Sequence, residues 1–173
     1  MIICSIDQSF SSTGVHIFYL NSEEVLAVYL IKTLNKDKKT KKEYSKEERI
    51  RYIVNEISNI LNKHNCDYVF LEGLSYNNRN SISARDLAGL YYSLLVKFLD
   101  IGINYREFPP KSVKAFALKG TASKEELFQK VPEEVKKKYE ALKVKKTTGL
   151  FDLVDSYFIG KLGISKLKEE SEF

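Results

Sequence analysis

Apolar residues in the first thirty positions occur in three runs of strand length. They are Met1 to Asp7, Gly14 to Leu20 and Val25 to Ile31. Because short connections separate them, the runs predict an antiparallel meander. In the third run both alternating sets of side chains are apolar, which predicts a strand covered on both faces. We therefore expect helices above and below the sheet.

A helical pattern follows the meander. Ser45 and Glu48 have the spacing of a capping box, and apolar residues then recur every three or four positions to about Asn62. Tyr68 to Leu71 is a short buried strand that ends on Glu72 and Gly73. The chain therefore passes from the meander through a helix to another strand.

The second half of the chain repeats this alternation. A helix is predicted from about Ala84 to Phe98, and Gly89 inside it suggests the close approach of another backbone. The strand Ile103 to Phe108 follows, and then a short helix from Lys111 to Lys119 that stops at Gly120. Another helix is opened by the capping box of Ser123 and Glu126 and interrupted at Val131-Pro132. A last helix is expected after Gly149, ending near Gly160, with a frayed tail beyond Lys166.

This element order predicts an α/β fold with a mixed sheet and helices on both faces, built as one domain over residues 1–173. The chain has 173 residues, of which 43% are hydrophobic and 29% charged, enough to bury one core. It contains no membrane-spanning run and begins without a signal-peptide pattern, so we expect a cytoplasmic protein with no membrane partner. Cys4 and Cys66 are interpreted as buried, reduced thiols.

Positive charge is concentrated in two lysine runs. The formal net charge is +5, and six lysines lie in each of the ranges Lys36 to Lys46 and Lys136 to Lys146. A single run of this kind is most often a solvated loop or helix end. Two runs with a net positive charge also suit contact with phosphates. The sequence does not assign a role to either run.

Four acids lie where apolar elements end or turn inward. Asp7 and Glu72 follow buried strands, and Asp152 and Asp155 lie three residues apart in an otherwise apolar helix, hence on one face. Burying acids is unfavourable without a compensating cation, so this placement needs a reason. Carboxylates without histidine or cysteine suit Mg²⁺ or Mn²⁺, and a pair of such ions can hold a scissile phosphate and activate water.

Each acid also has an ordinary structural interpretation. Asp7 is consistent with a turn or cap residue, Glu72 with a lysine ion pair, and Asp152 with a first-turn acid at the helix N-terminus. Asp155 is harder to explain in this way. The joint pattern is more specific than any one member.

Taken together, the motifs resemble those of the RuvC-type Holliday-junction resolvases. The resemblance rests on five segments that agree in order and spacing over nearly the whole chain: Asp7-Gln8-Ser9, Thr13-Gly14, Phe70-Leu71-Glu72, Lys114 through Gly120 to Lys124, and Asp152-Leu153-Val154-Asp155. It implies an RNase H-like fold with a five-stranded mixed sheet of three antiparallel strands followed by parallel additions. It also implies a homodimer that nicks two strands of a four-way DNA junction symmetrically, with two Mg²⁺ or Mn²⁺ sites per subunit.

The resemblance further implies roles for individual residues. Asp7, Glu72, Asp152 and Asp155 would be metal ligands and catalytic, and Lys114 and Lys124 would lie near the scissile phosphate and the DNA backbone. The DNA-binding candidates are completed by Lys119, Arg79 and Tyr76. Tyr76 is the candidate for the aromatic that wedges between junction bases, although it lies one position further along than in the family and is equally consistent with a ring packed on its own loop.

Departures and alternatives remain at this stage. Asp-Gln-Ser replaces the Asp-Pro-Gly of the familiar bacterial enzymes, and the longer basic run Lys36 to Lys46 is similar to that of resolvases encoded by bacteriophages. The apolar surface of the helix Ala84 to Phe98, with Tyr91, Tyr92 and Leu95 beside its main stripe, is assigned to a two-fold interface. Alternatives are an RNase H-like nuclease acting on flap DNA or RNA–DNA hybrids, and a non-catalytic DNA-binding module; an actin-like kinase would need a longer chain.

Overall fold

The computed structural model describes residues 1–74, 82–118, 121–146 and 149–171. These residues form five strands and six helices in the order β1 (Ile2–Asp7), β2 (Ser12–Tyr19), β3 (Val25–Lys32), α1 (Lys46–His64), β4 (Tyr68–Glu72), α2 (Ile82–Asp100), β5 (Asn104–Phe108), α3 (Pro110–Ala117), α4 (Lys124–Lys130), α5 (Glu133–Ala141) and α6 (Leu150–Ser171). The predicted order of elements is confirmed.

The strands form one mixed sheet in the order β3-β2-β1-β4-β5. β1, β2 and β3 are antiparallel neighbours, whereas β4 is parallel to β1 and β5 is parallel to β4. Short connections join the antiparallel strands, and helices join the parallel ones, as the handedness and reach of such connections require. The predicted five-stranded sheet is therefore confirmed.

Each face of the sheet has its own hydrophobic core. On one face the core joins Phe18 and Phe70 to α6 and to the shorter helices before it. On the other face α1 and α2 cover the sheet, and Leu94 is buried together with strand residues such as Val69. Helices therefore lie on both faces, which explains why apolar residues occur in both alternating sets of side chains along the strands.

The predicted capping boxes are present. Ser45 caps α1 and Ser123 caps α4, each with a reciprocal bond to the glutamate three residues later. Val131 and Pro132 separate α4 from α5, because proline has no N–H for the helix ladder. These local signals fix helix starts on the surface without help from tertiary packing.

The last helix is longer than predicted. The expectation that it ends near Gly160 and frays beyond Lys166 was wrong, because α6 continues to Ser171. Gly160 and Gly163 lie against Phe18 and Phe70, and a Cβ added at either glycine would stand 2.3 Å from a ring carbon. Both glycines therefore permit close packing of helix on sheet and do not mark a helix end.

Three smaller expectations are also corrected. Gly89 does not meet another backbone, since a Cβ added there would stand nearest to the Cδ1 atom of the Ile50 side chain, at 3.5 Å. Cys66 is only partly buried, although Cys4 is fully buried and both thiols are free. Tyr91 is buried in the core and does not contribute to a free surface. No helix within the described ranges is long and apolar enough to cross a membrane.

Candidate active site

Two of the four acids meet at one edge of the sheet. β1 and β4 are parallel, and Ile6 pairs with Leu71, so the residues that follow them, Asp7 and Glu72, end neighbouring strands at the same edge. Asp7 also pairs across the antiparallel ladder with Gly14. The sheet topology alone therefore brings together carboxylates that are separated in the sequence by β2, β3 and α1.

The other two acids come from the start of α6. Asp152 lies in the first turn of this helix and Asp155 one turn later. The hydroxyl of Ser12, at the first position of β2, donates a hydrogen bond to the Asp152 carboxylate. A Cβ at Gly14 would stand 2.2 Å from the Asp152 carbonyl oxygen, so the strand and helix backbones approach closely only because this residue is glycine.

A buried polar network holds α6 in this position. The His16 ring lies between the Ser156 hydroxyl, 2.8 Å from Nδ1, and the Tyr139 hydroxyl, 3.0 Å from Nε2. The Ser5 hydroxyl donates to the Ser156 carbonyl at 2.7 Å. Burial lowers the pKa of His16 to about 3, so the ring is neutral at neutral pH. Because every member is bonded, the network sets the register of α6 on the sheet.

The acids repel one another in a buried environment. Burial raises the pKa of Asp7 well above its usual value, and the negative charges of Asp155, Glu72 and Asp152 raise it further. The pKa of Glu72 rises to about 7 through burial and the charge of Asp155. Burial likewise raises the pKa of Asp155, although Lys124 opposes the shift. Such mutual repulsion is typical of a functional site that binds cations.

Two lysines complete the cluster. Lys124 Nζ lies 3.5 Å from Asp155 Oδ2. Lys114 and Lys124 line an open pocket of about 260 Å³ together with Glu72 and Asp155. Both lysines oppose the rise in the pKa of Glu72. The structure thus places the two predicted lysines beside the acids. Lysines that were only solvent-facing would not be expected to lie together at the same pocket.

Gln8 is a site residue that the sequence prediction missed. Its amide nitrogen donates a hydrogen bond to the Glu72 carbonyl, which ties the end of β1 to the end of β4. Its Oε1 atom is buried without a hydrogen-bond partner among the described residues. An unpaired buried acceptor beside carboxylates is unfavourable unless a ligand or water completes it. The replacement of Asp-Pro-Gly by Asp-Gln-Ser was the one feature of the sequence that could have pointed to Gln8.

The donor set suits a hard divalent cation. Asp7, Glu72, Asp152 and Asp155 supply only oxygen ligands, as Mg²⁺ and Mn²⁺ prefer. The raised pKa values of Asp7, Glu72 and Asp155 indicate that neighbouring side chains compensate their negative charge poorly. Within the described part of the chain, no three His, Cys, Asp or Glu side chains already stand in metal-binding geometry. The residues therefore fit a metal whose binding would draw the carboxylates together.

Three predicted DNA-binding residues, Tyr76, Arg79 and Lys119, lie outside the described residues. Their roles remain predictions.

Comparison with known proteins places this arrangement in a wider context. The family model for crossover junction endodeoxyribonuclease RuvC matches residues 3–149. This match includes Asp7 and Glu72 and ends before Asp152. Asp152 and Asp155 are therefore assigned to the site by their position in the structure and not by the family match. A search of curated protein sequences finds no match.

Several solved structures share the fold. The Thermus thermophilus RuvC structure has a TM-score of 0.67 at 18% identity, covering 97% of each chain. The Fowlpox virus resolvase, solved with substrate Holliday junction DNA, has a TM-score of 0.58 at 20% identity and covers 96% of this chain and 99% of its own. The yeast mitochondrial Holliday junction resolvase has a TM-score of 0.64 at 16% identity, covering 96% of this chain and 80% of its own.

These likenesses confirm the predicted RNase H-like fold over almost the full described chain. The family match, which extends over far more than half of the residues, confirms the predicted resemblance. The chain belongs to the RuvC family of crossover junction endodeoxyribonucleases.

Proposed function

We propose that this protein is a metal-dependent endodeoxyribonuclease that resolves four-way and other branched DNA by paired nicks, leaving 5′-phosphate and 3′-hydroxyl ends. The observation that carries the proposal is the convergence of Asp7, Glu72 and Asp155, with Asp152 close by, at one sheet edge in a chain of this family. Buried acids that repel one another have no structural value that would offset their free-energy cost.

Asp7, Glu72, Asp152 and Asp155 would hold two Mg²⁺ or Mn²⁺ ions. Divalent ions bound there would supply Lewis acidity for a water nucleophile and for the leaving 3′-oxygen. The negative charges of Asp155, Glu72 and Asp152 all raise the pKa of Asp7, so Asp7 is close to both the strand acid and the helix acids and would contribute to holding both ions. Ser12 fixes the orientation of Asp152 by donating a hydrogen bond to its carboxylate, which would position that carboxylate to bind an ion.

The lysines act on the DNA. Lys124 and Lys114 stand at the pocket beside Glu72 and Asp155, where their charge would stabilise the negative charge that develops on the phosphate. The Lys124 pair with Asp155 at 3.5 Å is partly solvated, so it can open when a phosphate enters. Gln8 would use its unpaired oxygen to hold a bound water or ligand at the same edge.

The choice of a four-way junction follows the family and the relatives. The Fowlpox virus resolvase of the same fold was solved with Holliday junction DNA. An RNase H-like nuclease acting on flaps or RNA–DNA hybrids would share the acid cluster. A non-catalytic DNA-binding module would have no need to keep all four acids, as this chain does.

The substrate assignment is tested by cleavage assays on four substrates side by side: a synthetic four-way junction, a flap, an RNA–DNA hybrid and linear duplex DNA. We expect divalent-ion-dependent nicks at paired positions on opposite strands of the junction, and little cleavage of the linear duplex. Preferential cleavage of the hybrid or the flap would favour the alternative nucleases. Binding without any cleavage in Mg²⁺ or Mn²⁺ would favour the non-catalytic module.

Paired nicks require two active sites, and α2 carries a surface suited to a two-fold interface. Tyr92, Val96 and Leu99 lie on one face of this helix and are 60%, 56% and 68% exposed. Large apolar side chains grouped in this way are typical of protein interfaces. Of the three residues predicted for this surface only Tyr92 lies on the exposed face, because Tyr91 is buried and Leu95 packs partly buried against the core. We propose that this face forms the homodimer.

Replacing Val96 and Leu99 by glutamate is expected to convert a dimer into a monomer, because two charges would be buried in a symmetric apolar contact. Light scattering at micromolar concentration measures the change, and the variant should also lose the pairing of nicks. The matched control is Leu142→Glu, which charges an exposed apolar residue near the end of α5. A wild-type protein that is monomeric at this concentration would contradict the interface.

A further inference from the structure

The net positive charge of the protein is confined to one segment. Between Lys32 and Arg51 there are nine lysines and arginines and four aspartates and glutamates. The whole chain has 28 and 23, so the rest of the chain holds nineteen of each and is formally neutral. The second lysine run, Lys136 to Lys146, is thus balanced by acids elsewhere. The first run is not, and it has no place in the acid cluster.

This segment is folded as a small hairpin, residues 35–44, which we name the basic hairpin. Its arms pair through a bridge between Lys36 and Glu43, and the Tyr44 amide donates to the Asn35 carbonyl at 2.9 Å. At the turn the Asp37 carboxylate accepts hydrogen bonds from the Lys39 and Thr40 amides, both at 2.7 Å. The acid of the turn is therefore engaged by the backbone, while the lysines at the tip are exposed: Lys38, Lys39, Lys41 and Lys42.

A groove of about 430 Å³ lies between the basic hairpin and α1. Its lining includes Lys42, Tyr44, Arg51 and Tyr52. Glu48 also lines it, but its carboxylate accepts the Ser45 amide at 2.8 Å as part of the helix cap. Both acids of the groove thus already have backbone partners, whereas Lys42 and Arg51 present cationic side chains and the tyrosines present hydroxyl donors.

Arg49 connects the basic hairpin to the catalytic edge. Its guanidinium donates to the Thr33 hydroxyl at 2.9 Å, to the Asn35 side chain, and to the Phe10 carbonyl at 2.8 Å. It also lies over the Phe10 ring, 4.8 Å from its centroid. Phe10 belongs to the loop that leads from Asp7 to Ser12. One side chain therefore fixes the base of the hairpin to the loop that joins Asp7 to Ser12.

The sheet topology sets the direction of the groove. β3 ends at Lys32 at the same sheet edge at which β1 ends at Asp7, because β2 lies between them and runs antiparallel to both. The basic hairpin continues from that edge on the α1 side, whereas Lys114 and Lys124 lie on the α6 side. Positive charge therefore extends from the acid cluster in two directions.

We propose that the basic hairpin and its groove bind the phosphate backbone of a duplex arm of the branched DNA, beyond the position at which the strand is cut. The inference rests on the proposed function and extends it with a second DNA contact. Mobile lysines and tyrosine hydroxyls are typical phosphate contacts. Lys42 covers the Tyr44 ring at 4.8 Å from its centroid, which favours backbone contact over stacking of an unpaired base.

The test replaces three exposed lysines at the hairpin tip, K38Q/K39Q/K41Q. Affinity is measured with Ca²⁺ in place of Mg²⁺, for four-way junctions whose arms are shortened stepwise. We expect the variant to bind the long-arm junction at least about tenfold more weakly near 0.1 M salt. The slope of log affinity against log salt concentration should fall by an amount that corresponds to roughly two to three lost phosphate contacts. With short arms, the variant and the wild type should bind alike and cleave alike in Mg²⁺.

The matched control is K137Q/K138Q/K143Q, which removes the same charge from the balanced lysine run. We expect less than about a twofold effect of this control on any junction. An equal loss in both variants, or a loss that is independent of arm length, would overturn the hairpin assignment. Unchanged DNA binding by the hairpin variant would overturn it as well and would point to an acidic protein partner. Wild-type protein that neither binds nor cuts branched DNA would instead overturn the proposed function.

Discussion

The Asp7→Asn variant is expected to lose at least about a thousandfold in the rate of junction cleavage while it still binds the junction. Asp7 lies at the centre of the cluster, since Asp155, Glu72 and Asp152 all act on its pKa. Asparagine keeps the shape of the side chain but lacks the charge that a divalent ion needs. Single-turnover cleavage in Mg²⁺, together with gel-shift affinity in Ca²⁺, measures both properties on one preparation.

A suitable control is Asp100→Asn, which removes an exposed carboxylate at the far end of α2 and should leave both properties unchanged. Retained binding distinguishes a chemical defect from misfolding. Metal-dependent nicking by purified Asp7→Asn protein at a rate within about tenfold of the wild type would contradict the assignment of Asp7.

The architecture was predictable where local chemistry and periodicity agree. Ser45 and Ser123 mark true helix starts because capping is satisfied within four residues. The end of α6 was not predictable, because a glycine near the end of a helical pattern usually indicates that the helix stops there. Only a tertiary contact shows that the glycine instead allows close packing within a continuing helix. Gly160 and Gly163 continue the helix since Phe18 and Phe70 occupy the space that a side chain would need. That contact joins distant segments, so no window of sequence reveals it.

The candidate site divides in the same way. The four acids were identified because each interrupts an apolar element, and parallel strands have their carboxyl ends at one edge. Gln8 was missed because its contribution to the site depends on a hydrogen bond that it donates to the Glu72 carbonyl in the neighbouring strand. The lysine run from Lys36 to Lys46 was visible in sequence, but its structural role depends on Arg49 and the Phe10 carbonyl, which lie in other elements.

The acid cluster should make the metal-free protein less stable as the pH rises. The pKa of Glu72 is about 7 in the folded protein against 4.5 for the free side chain. The folded state therefore holds the proton more tightly, so the stability is highest below about pH 4.5 for this group and falls as the pH rises toward 7. Asp7 and Asp155 act with the same sign. His16 has the opposite effect. Its pKa is about 3 in the folded protein against 6.5 for the free side chain, so the unfolded state binds the proton more tightly and the stability falls as the pH drops below 6.5.

Comparing Glu72→Gln with the wild type isolates the acid contribution, because His16 is common to both. In EDTA at pH 8 the variant is expected to be more stable by on the order of 2 to 3 kcal/mol, from the shift of Glu72 to about 7. For a domain of this size that corresponds to a Tm higher by roughly 5 to 10 °C. Near pH 4 the two proteins should melt together. Glu24→Gln, an exposed glutamate after β2, is the control and should show no such pH-dependent difference.

Divalent ions should reverse the order. If the cluster binds Mg²⁺ or Mn²⁺, saturating ion stabilises the wild type by an amount that grows with the ratio of its concentration to Kd, while Glu72→Gln gains less. The Tm difference at pH 8 should therefore shrink or change sign on adding the ion. This measurement does not depend on cleavage. A wild type whose Tm does not change on adding the ion, with Glu72→Gln never more stable in EDTA, would show that the four acids do not form a cation site.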